Sequence, residues 1–360
     1  MRGSCVGGGC VVDVQPAKRV FAGFGVVGAL LVGALSAGVR AHAGPVEDYY
    51  KGKSIEVIIG YSSGGGYDVY ARTVTRHMTN HMPGKPTFVA RQMPGGGSRI
   101  AANFLYNIAN KEGLAIGIVD QSLALSQVLG EPNIKLDAAK FLYIGNPISD
   151  NNTMSAWHTT GVTNWEQAKE KQLSLGATGN NTSGWYGMSM NAMLGTKFKI
   201  IMGYPGGNDV NLALEKGEVD VRGSNSWASW KSTRPQWLAE KKINILVQIG
   251  LMRDPELPEV PLLMELPTDE DDRAALKLLS APTTIGRPLF APPGVPEDRI
   301  KALRAAFDAT MKDPAFIEDA KNNKLDLQPL SGVELQKIVE EIVATPPRVV
   351  QRLKTVLEMK

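Results

Sequence analysis

The chain has 360 residues, of which 43% are hydrophobic, 21% charged and 7% aromatic, and a formal charge of +3. That length holds about two domains, and the composition excludes a disordered tail, a collagen-like fibre and a multi-span membrane protein. It carries neither the basic surplus nor the basic stripe of a nucleic-acid binder, so no nucleic-acid partner is expected.

Residues 1–43 read as an export leader. Lys18-Arg19 precede an apolar run from Val20 to Val39, and Arg40 leads into Ala41-His42-Ala43. A positive stretch, an apolar stretch and an A-x-A site in that order predict a signal peptide cleaved after Ala43 and a periplasmic location. The remainder, Gly44–Lys360, has 39 − 4 = 35 basic and 36 − 1 = 35 acidic residues and is formally neutral. Both cysteines, Cys5 and Cys10, fall in the leader, so the exported chain has no thiol catalysis, zinc–thiolate site or disulfide.

In chain order, Ser54–Gly60 (SIEVIIG) predicts a buried strand and Tyr61–Asp68 (YSSGGGYD) a loop. Tyr70, Val74, Met78 and Met82 recur every four residues and predict a helix from Val69, stopped by Pro83-Gly84-Lys85-Pro86. Thr87–Arg91 predicts a second strand, Met93–Ser98 (MPGGGS) a second glycine loop, Ile100–Ala109 a helix and Leu114–Val119 a strand. Further on, Leu173–Ala177 is a strand that leads into Thr178–Gly184 (TGNNTSG) and a helix at Tyr186–Leu194. Strands are predicted at Lys199–Met202, Glu218–Arg222 and Ile243–Ile249, with a helix at Val210–Lys216. Pro296, Glu297 and Asp298 open a helix, and Ser331 with Glu334 makes a capping box for another. Strands alternating with helices predict α/β architecture with largely parallel sheets. All six tryptophans lie between Trp157 and Trp237, which marks residues from about 150 to 280 as a separate lobe.

The glycine loops carry the chemistry. Converging N–H groups and a helix N-terminus bind anions, although the same sequence also serves as a plain strand-to-helix turn. The first loop lacks the lysine of G-x-x-x-x-G-K-[ST] and the spacing of G-x-G-x-x-G, so neither a Walker loop nor a dinucleotide site is expected, and no cofactor is implied. Two such loops at strand ends face one crevice in an open α/β sheet. Thr178–Ser183, and Asn225 with Ser224 and Ser226, supply donors from the other lobe. All four loops lack formal charge, which predicts a carboxylate held by dipoles and water. A hydrogen bond to a charged group contributes roughly 1.5–3 kcal/mol, so four or five leave micromolar affinity after ordering and association costs.

Other residues point to weaker chemistry. His77 and His81 have metal-ligand spacing, but Met78 stands where H-E-x-x-H has Glu, and a solvated helix face is the plainer reading. Asp68 reads as a helix cap, since a free carboxylate would repel a bound anion. Ser62 and Ser63 lack a G-x-S-x-G context. His158 reads as a surface or hinge residue, and Asp269–Asp272 as a helix start. Arg72 and Arg99 reach either an anion or an ion pair within their lobe. Trp185 and Trp227 adjoin donor-rich loops and are either core or an aromatic wall for the ligand.

Five segments in order resemble the substrate-binding receptors of tripartite tricarboxylate transporters, the Bug family, from about Lys51 to Lys360. Gly64-Gly65-Gly66-Tyr67-Asp68 with Ala71-Arg72 is similar to that family's P-G-G-x-x-D-x-x-A-R, and Pro94-Gly95-Gly96-Gly97 to its P-G-A-G-G. Tyr204-Pro205-Gly206-Gly207 with Leu214–Asp220, Leu257–Pro261 and Ala291–Pro296 resemble its Y-K-G … L-x-x-G-x-V-D, L-P-D-V-P-T and A-P-x-G-T-P. The chain departs from the family at Tyr61-Ser62-Ser63, at Lys111–Ala115 and at Pro205.

The resemblance implies a two-lobed, periplasmic-binding-protein-like clamshell, each lobe a mostly parallel sheet flanked by helices. Lobe 1 would be residues 44–148 plus 285–360 and lobe 2 residues 149–284, with hinges near Pro147–Asp150 and Pro282–Arg287. It implies a monomeric receptor, not an enzyme, that captures a small organic acid for membrane permease subunits. Ser62, Ser63, Gly65, Gly66, Gly95, Gly96 and Ser98 would grip the carboxylate, and Asp120 and Gln121 would lie nearby. Thr178, Asn180, Thr182, Ser183, Trp185, Ser224 and Asn225 would meet the distal group. The alternatives are an exported hydrolase using the first loop as an oxyanion hole, and a sensory receptor of the same fold.

Overall fold

The structure is a computed structural model that describes residues 44–359, and the expected leader with its cleavage after Ala43 lies outside them. Aliphatic runs become buried strands, and helices carry the chain back to start the next parallel strand. The order begins α1 (Pro45–Tyr50), β1 (Ser54–Ile59), α2 (Gly66–His81), β2 (Thr87–Gln92), α3 (Arg99–Asn107), β3 (Ala115–Ile118), α4 (Leu123–Val128) and β4 (Leu142–Asn146). The chain then crosses to β5 (Asn152–Trp157), β6 (Leu173–Ala177), α5 (Thr182–Leu194), β7 (Phe198–Met202), α6 (Gly207–Glu215), β8 (Val221–Ser226), α7 (Trp227–Thr233), α8 (Pro235–Ala239), β9 (Ile243–Ile249) and α9 (Glu270–Ser280). It returns through β10 (Leu289–Ala291), α10 (Glu297–Thr310), α11 (Pro314–Asn322), β11 (Leu330–Ser331), α12 (Gly332–Val343) and α13 (Pro347–Val356).

Two sheets result, ordered β11-β4-β10-β3-β1-β2 and β7-β6-β8-β5-β9. β1 pairs in parallel with β2 and β3, and β6 with β7 and β8. The strand that enters each sheet from the other, β10 or β5, runs antiparallel to both its neighbours. Its start therefore lies at the edge where the parallel strands end. Asn152 at the start of β5 and Arg287 just before β10 are thus brought beside the loops that follow β1, β3 and β6 and the polar end of β8. Open α/β sheets bind ligands at that edge. The architecture is the two-lobed α/β arrangement read from the sequence.

The two crossovers touch. Asn146 Oδ1 accepts from the Ile148 N–H at 3.2 Å and the Arg287 N–H at 2.8 Å, and Ser149 Oγ donates to the Thr284 carbonyl at 2.7 Å. Gly286, at φ +61°, lies so close to the Ile148 carbonyl that a Cβ would overlap it.

Two elements differ from expectation. The strand expected at Glu218–Arg222 runs instead from Val221 to Ser226, because β5 pairs with its polar end, Asn152 with Ser226 and Thr153 with Asn225. Asp220 is used at its start, accepting from the Ser174 N–H at 2.8 Å. The last helix also leaves the lobe expected for residues 285–360. α13 packs on α9 and α5, where Arg348 pairs with Asp271 at 2.9 Å and Arg352 with Asp272.

Candidate functional site

A cavity of about 70 Å³ lies between the sheets at the shared edge. That is room for more than one water-sized group, which suits a small solute. Of the residues expected to bind, Gly65, Gly66, Asp120 and Gln121 line it from one side, and Thr178, Thr182, Ser183, Ser224 and Asn225 from the other. Ser226, read from sequence as a donor beside Asn225, lines it as well, and Tyr61, Tyr67, Asn152, Gly207, Arg222, Ser229 and Arg287 join them without having been foreseen.

The first loop presents the start of α2, capped by Gly65 with no side-chain partner. Asp68 reaches back to the Gly64 N–H at 3.0 Å, so that amide is already spoken for. Its other oxygen accepts from Arg72 Nε at 2.7 Å and Gln92 Nε2 at 2.8 Å. Asp68 therefore sits in the first turn of α2 but is not its cap, which is Gly65, because its carboxylate is turned back to Gly64, Arg72 and Gln92, and Arg72 is in an ion pair within its lobe. Tyr61 and Tyr67 stand with ring centroids 4.9 Å apart and supply aromatic lining. The Tyr61 hydroxyl donates to Asp120, whose carboxylate also takes Ser122 Oγ–H and the Ser122 N–H. Burial pushes the Asp120 carboxyl up despite these donors, and pushes the Tyr61 hydroxyl well above its ordinary range.

Several expected binders are used elsewhere. Ser62 bridges to the opposite lobe, its N–H donating to the Pro205 carbonyl at 3.2 Å and its Oγ to Asp209 at 2.5 Å, and Ser63 is exposed. Gly95 and Gly96 hold positive φ, +125° and +59°, and shape the second loop away from the cavity. Gly97 packs on Gly179, where a Cβ would stand 2.8 Å from the Gly97 nitrogen. Ser98 is buried under Gly60 and accepts from the Asp120 N–H at 2.8 Å.

Asn180 is fully engaged in a cross-cleft cluster. It donates to Glu131 at 2.7 Å, and its carbonyl accepts from Arg99, which also pairs with Glu131 at 2.7 Å. Trp185 is buried, its indole N–H donating to Asn180 Oδ1 at 2.9 Å, and Trp227 donates to Glu256. Of the two readings left open for the tryptophans, Trp185 takes the core one, and the aromatic lining of the cavity comes from Tyr61 and Tyr67. Asn181, not singled out from sequence, caps α5 and donates across the cleft to Tyr61 at 3.2 Å.

Positive charge is the main correction to a site held by neutral donors alone. Arg222 and Arg287 line the cavity and are 7% and 3% exposed. Arg222 donates to the Ser224 carbonyl at 3.0 Å and to Asn211 Oδ1, and Arg287 donates to Ser229 Oγ at 2.5 Å. Burial, with Arg234 and Arg287 nearby, lowers the Arg222 guanidinium to about 9. Buried Arg287 Nε and Asn225 Nδ2 have no hydrogen-bond partner among the described residues. A charged residue inside an otherwise uncharged strand, as in Val221-Arg222-Gly223, was the available signal, since buried charges seek partners.

The remaining candidates have structural partners. His77 contacts Asp319 and His81 contacts Asp313, each at 2.8 Å, tying α2 to α11. No group of three metal-capable side chains occurs among the described residues. Asp269 caps α9 by accepting from the Asp272 N–H, and His158 is exposed.

Comparisons with known proteins bear on the fold and the family. No curated protein sequence matches the chain. The solved structure of the periplasmic binding protein BugD is similar, at TM-score 0.69 and 20% identity over 85% of this chain and 98% of that one. MatC of Rhodopseudomonas palustris with bound malate matches at TM-score 0.65 and 19% identity, over 85% and 99%. R. palustris Rpa4515 with adipate matches at 0.67 and 18%, over 84% and 97%. The family model for the tripartite tricarboxylate transporter family receptor matches residues 130–355, a stretch that begins after both glycine loops. Covering more than half of the chain, that match carries the conclusion that this protein belongs to the tripartite tricarboxylate transporter receptor family.

Proposed function

We propose that this protein is an exported, monomeric receptor that captures a small organic acid between its lobes and delivers it to membrane permease subunits. The observation that carries the reading is the buried cavity with donors that lack acceptors, Arg287 Nε and Asn225 Nδ2. Leaving buried donors unpaired costs about 1–3 kcal/mol each, and an anionic ligand removes that penalty. The malate and adipate named with the similar R. palustris structures fit the same ligand class.

In this reading the lobes are residues 44–148 plus most of 285–360, and 149–284, and they close about the two crossovers. Gly65 and Gly66, the buried donors of β8 and the polar start of α5 surround the acid. Ligand favours closure by its differential affinity for the closed state. An oxyanion-hole hydrolase is less well supported, because Ser62 is bound to Asp209 and Asp68 takes the Gly64 amide.

A thermal-shift screen of organic acids on residues 44–360, with product analysis by mass spectrometry, tests the reading. Binding at about 100 times Kd adds about 2.7 kcal/mol of stability. A saturable rise in melting temperature with the acid unchanged is expected. No shift with any acid, or consumption of the acid, would overturn it.

A further inference from the structure

The first loop does more than line the cavity. Ser62 lies between Tyr61 and Gly65, both of which line it, yet both donors of Ser62 reach the opposite lobe. Its N–H donates to the Pro205 carbonyl at 3.2 Å and its Oγ to Asp209 at 2.5 Å. The partner is the turn into α6, whose first three residues all face the loop or the site. Gly207 lines the cavity, a Cβ on Gly64 would stand 3.7 Å from Asn208 Nδ2, and Asp209 holds Ser62. An acid in a first turn suits the helix dipole by itself. The helix does not explain why a serine from the other lobe is bound to it. The fit is tightest at Gly206, the residue before α6. Its φ is −169°, extended backbone that any residue adopts, so conformation does not call for glycine there. A Cβ would overlap Ser62 Oγ and lie 3.0 Å from the Ser62 nitrogen, so the approach of the two segments calls for it. These segments are also two of the three places where the chain departs from its family's pattern, Tyr61-Ser62-Ser63 and Pro205. Where Y-K-G has a lysine, Pro205 brings no charge and no N–H and offers its carbonyl, which Ser62 takes. The third departure, Lys111–Ala115, sets Glu112 against Arg299 of α10 and takes no part.

We propose that Ser62, Pro205 and Asp209 form a clasp, built where this chain departs from the family pattern, that holds the cleft shut over a bound acid and sets how fast the acid leaves. The proposal rests on the reading that the cavity is the ligand site and that the lobes close around it. Neither Ser62 nor Asp209 lines the cavity, so both are positioning residues. A contact between the lobes that exists only in the closed state favours that state equally for every acid. The clasp therefore acts on release and not on the choice of acid.

The experiment is stopped-flow measurement of binding and release on residues 44–360, with malate, adipate and the acid that gives the largest shift in the thermal screen as probes. Ser62→Ala and Asp209→Asn should each release a bound acid about 10-fold faster, the low end for a hydrogen bond to a charged group, with association changed less than dissociation. Combining the two should add little, because both remove the same bond. Ser62→Thr keeps the hydroxyl and should stay near wild type. Gly206→Ala should match Ser62→Ala, because its methyl displaces Ser62 Oγ. The rank order of the acids should not move, nor should the melting temperature of acid-free Ser62→Ala. Wild-type release rates in Ser62→Ala and Asp209→Asn overturn the clasp and leave the receptor reading intact. So does a lower acid-free melting temperature with release unchanged, which would make the contact ordinary packing. A changed rank order overturns it too, by placing Ser62 or Asp209 among the contacts of the acid. Either single variant decides the matter where the other fails to fold. Wild-type protein that binds no acid of the screen defeats the receptor reading itself, and the clasp with it.

Discussion

Gly64-Gly65-Gly66 and Gly95-Gly96-Gly97 both leave a parallel strand and enter a helix, yet only the first reaches the cavity. The second turns on three positive-φ glycines and presses Gly97 against Gly179 of the opposite lobe. Beside it the Arg99–Glu131–Asn180 cluster fastens the lobes together. A run of glycines states that backbone comes close to something. Whether that partner is solute or the other lobe depends on residues more than 80 positions away. In this molecule one loop helps to line the cavity and the other forms a seal between the lobes.

The sharpest way to break this contrast is a side chain at Gly66. A Cβ there would overlap Ser229 Oγ, which accepts from Arg287, and would lie 3.2 Å from Ser229 Cβ. Gly66→Val should therefore hold the lobes apart and displace Arg287. Overpacking of 1–3 kcal/mol corresponds to roughly 5- to 150-fold, and a loss toward the upper end is expected for the tightest-binding acid of the screen. Wild-type affinity in a folded Gly66→Val protein would remove the first loop from the site.

Glu131→Gln examines the seal. Glu131 is 7% exposed and holds both Arg99 and Asn180. The glutamine keeps a hydrogen-bonding group and removes the charge, leaving Arg99 partly unpaired. Closure should weaken, with affinity for every acid that binds falling about 10-fold and the rank order of the acids unchanged. If the rank order moved too, the cluster would belong to ligand recognition and the contrast between the loops would fail.

Much of the scaffold was legible in the chain because it is local. The β6 and β9 segments are apolar runs bounded by loop residues, and Ser331 with Glu334 forms the capping box their spacing predicts. The site was legible only in part. Arg222 and Arg287 are 65 positions apart, and what joins them is the antiparallel entry of β5 and β10, which no periodicity encodes. Ser62, Ser98 and Asn180 are polar loop residues next to those of the site, and each is occupied by a partner from a distant segment. Residue type could not separate a free donor from an engaged one.

The pH dependence of stability sharpens the account of Asp120. Burial raises its carboxyl above the unfolded value near 4, so the folded state holds this proton to higher pH than the unfolded state does. Between those two values the folded protein binds more protons, and the contribution of Asp120 to stability falls as pH rises, by at most about 1.4 kcal/mol per unit. Asp120→Asn removes that contribution, while Asp150, shifted in the same direction, remains in both proteins. Urea unfolding from pH 4 upward should show wild type losing stability relative to the variant. Parallel curves would mean that Tyr61 and Ser122 stabilise the ionised carboxylate as fully as water does.

Gly96→Ala is expected to have the smallest effect and separates backbone need from ligand need. Its φ is +59°, which an L side chain adopts with strain, but the nearest side-chain atom, Arg99 Cβ, would stand 3.7 Å away, an ordinary contact. The penalty is therefore conformational and amounts to about 1 kcal/mol of stability. Affinity for the acid should stay within about 2-fold of wild type, because Gly96 does not line the cavity and a Cβ on it would point to Arg99 of its own lobe rather than to the opposite lobe. A larger loss of affinity, with melting temperature little changed, would show that the Gly96 amide contacts the solute and that the second loop grips the acid as the first one does.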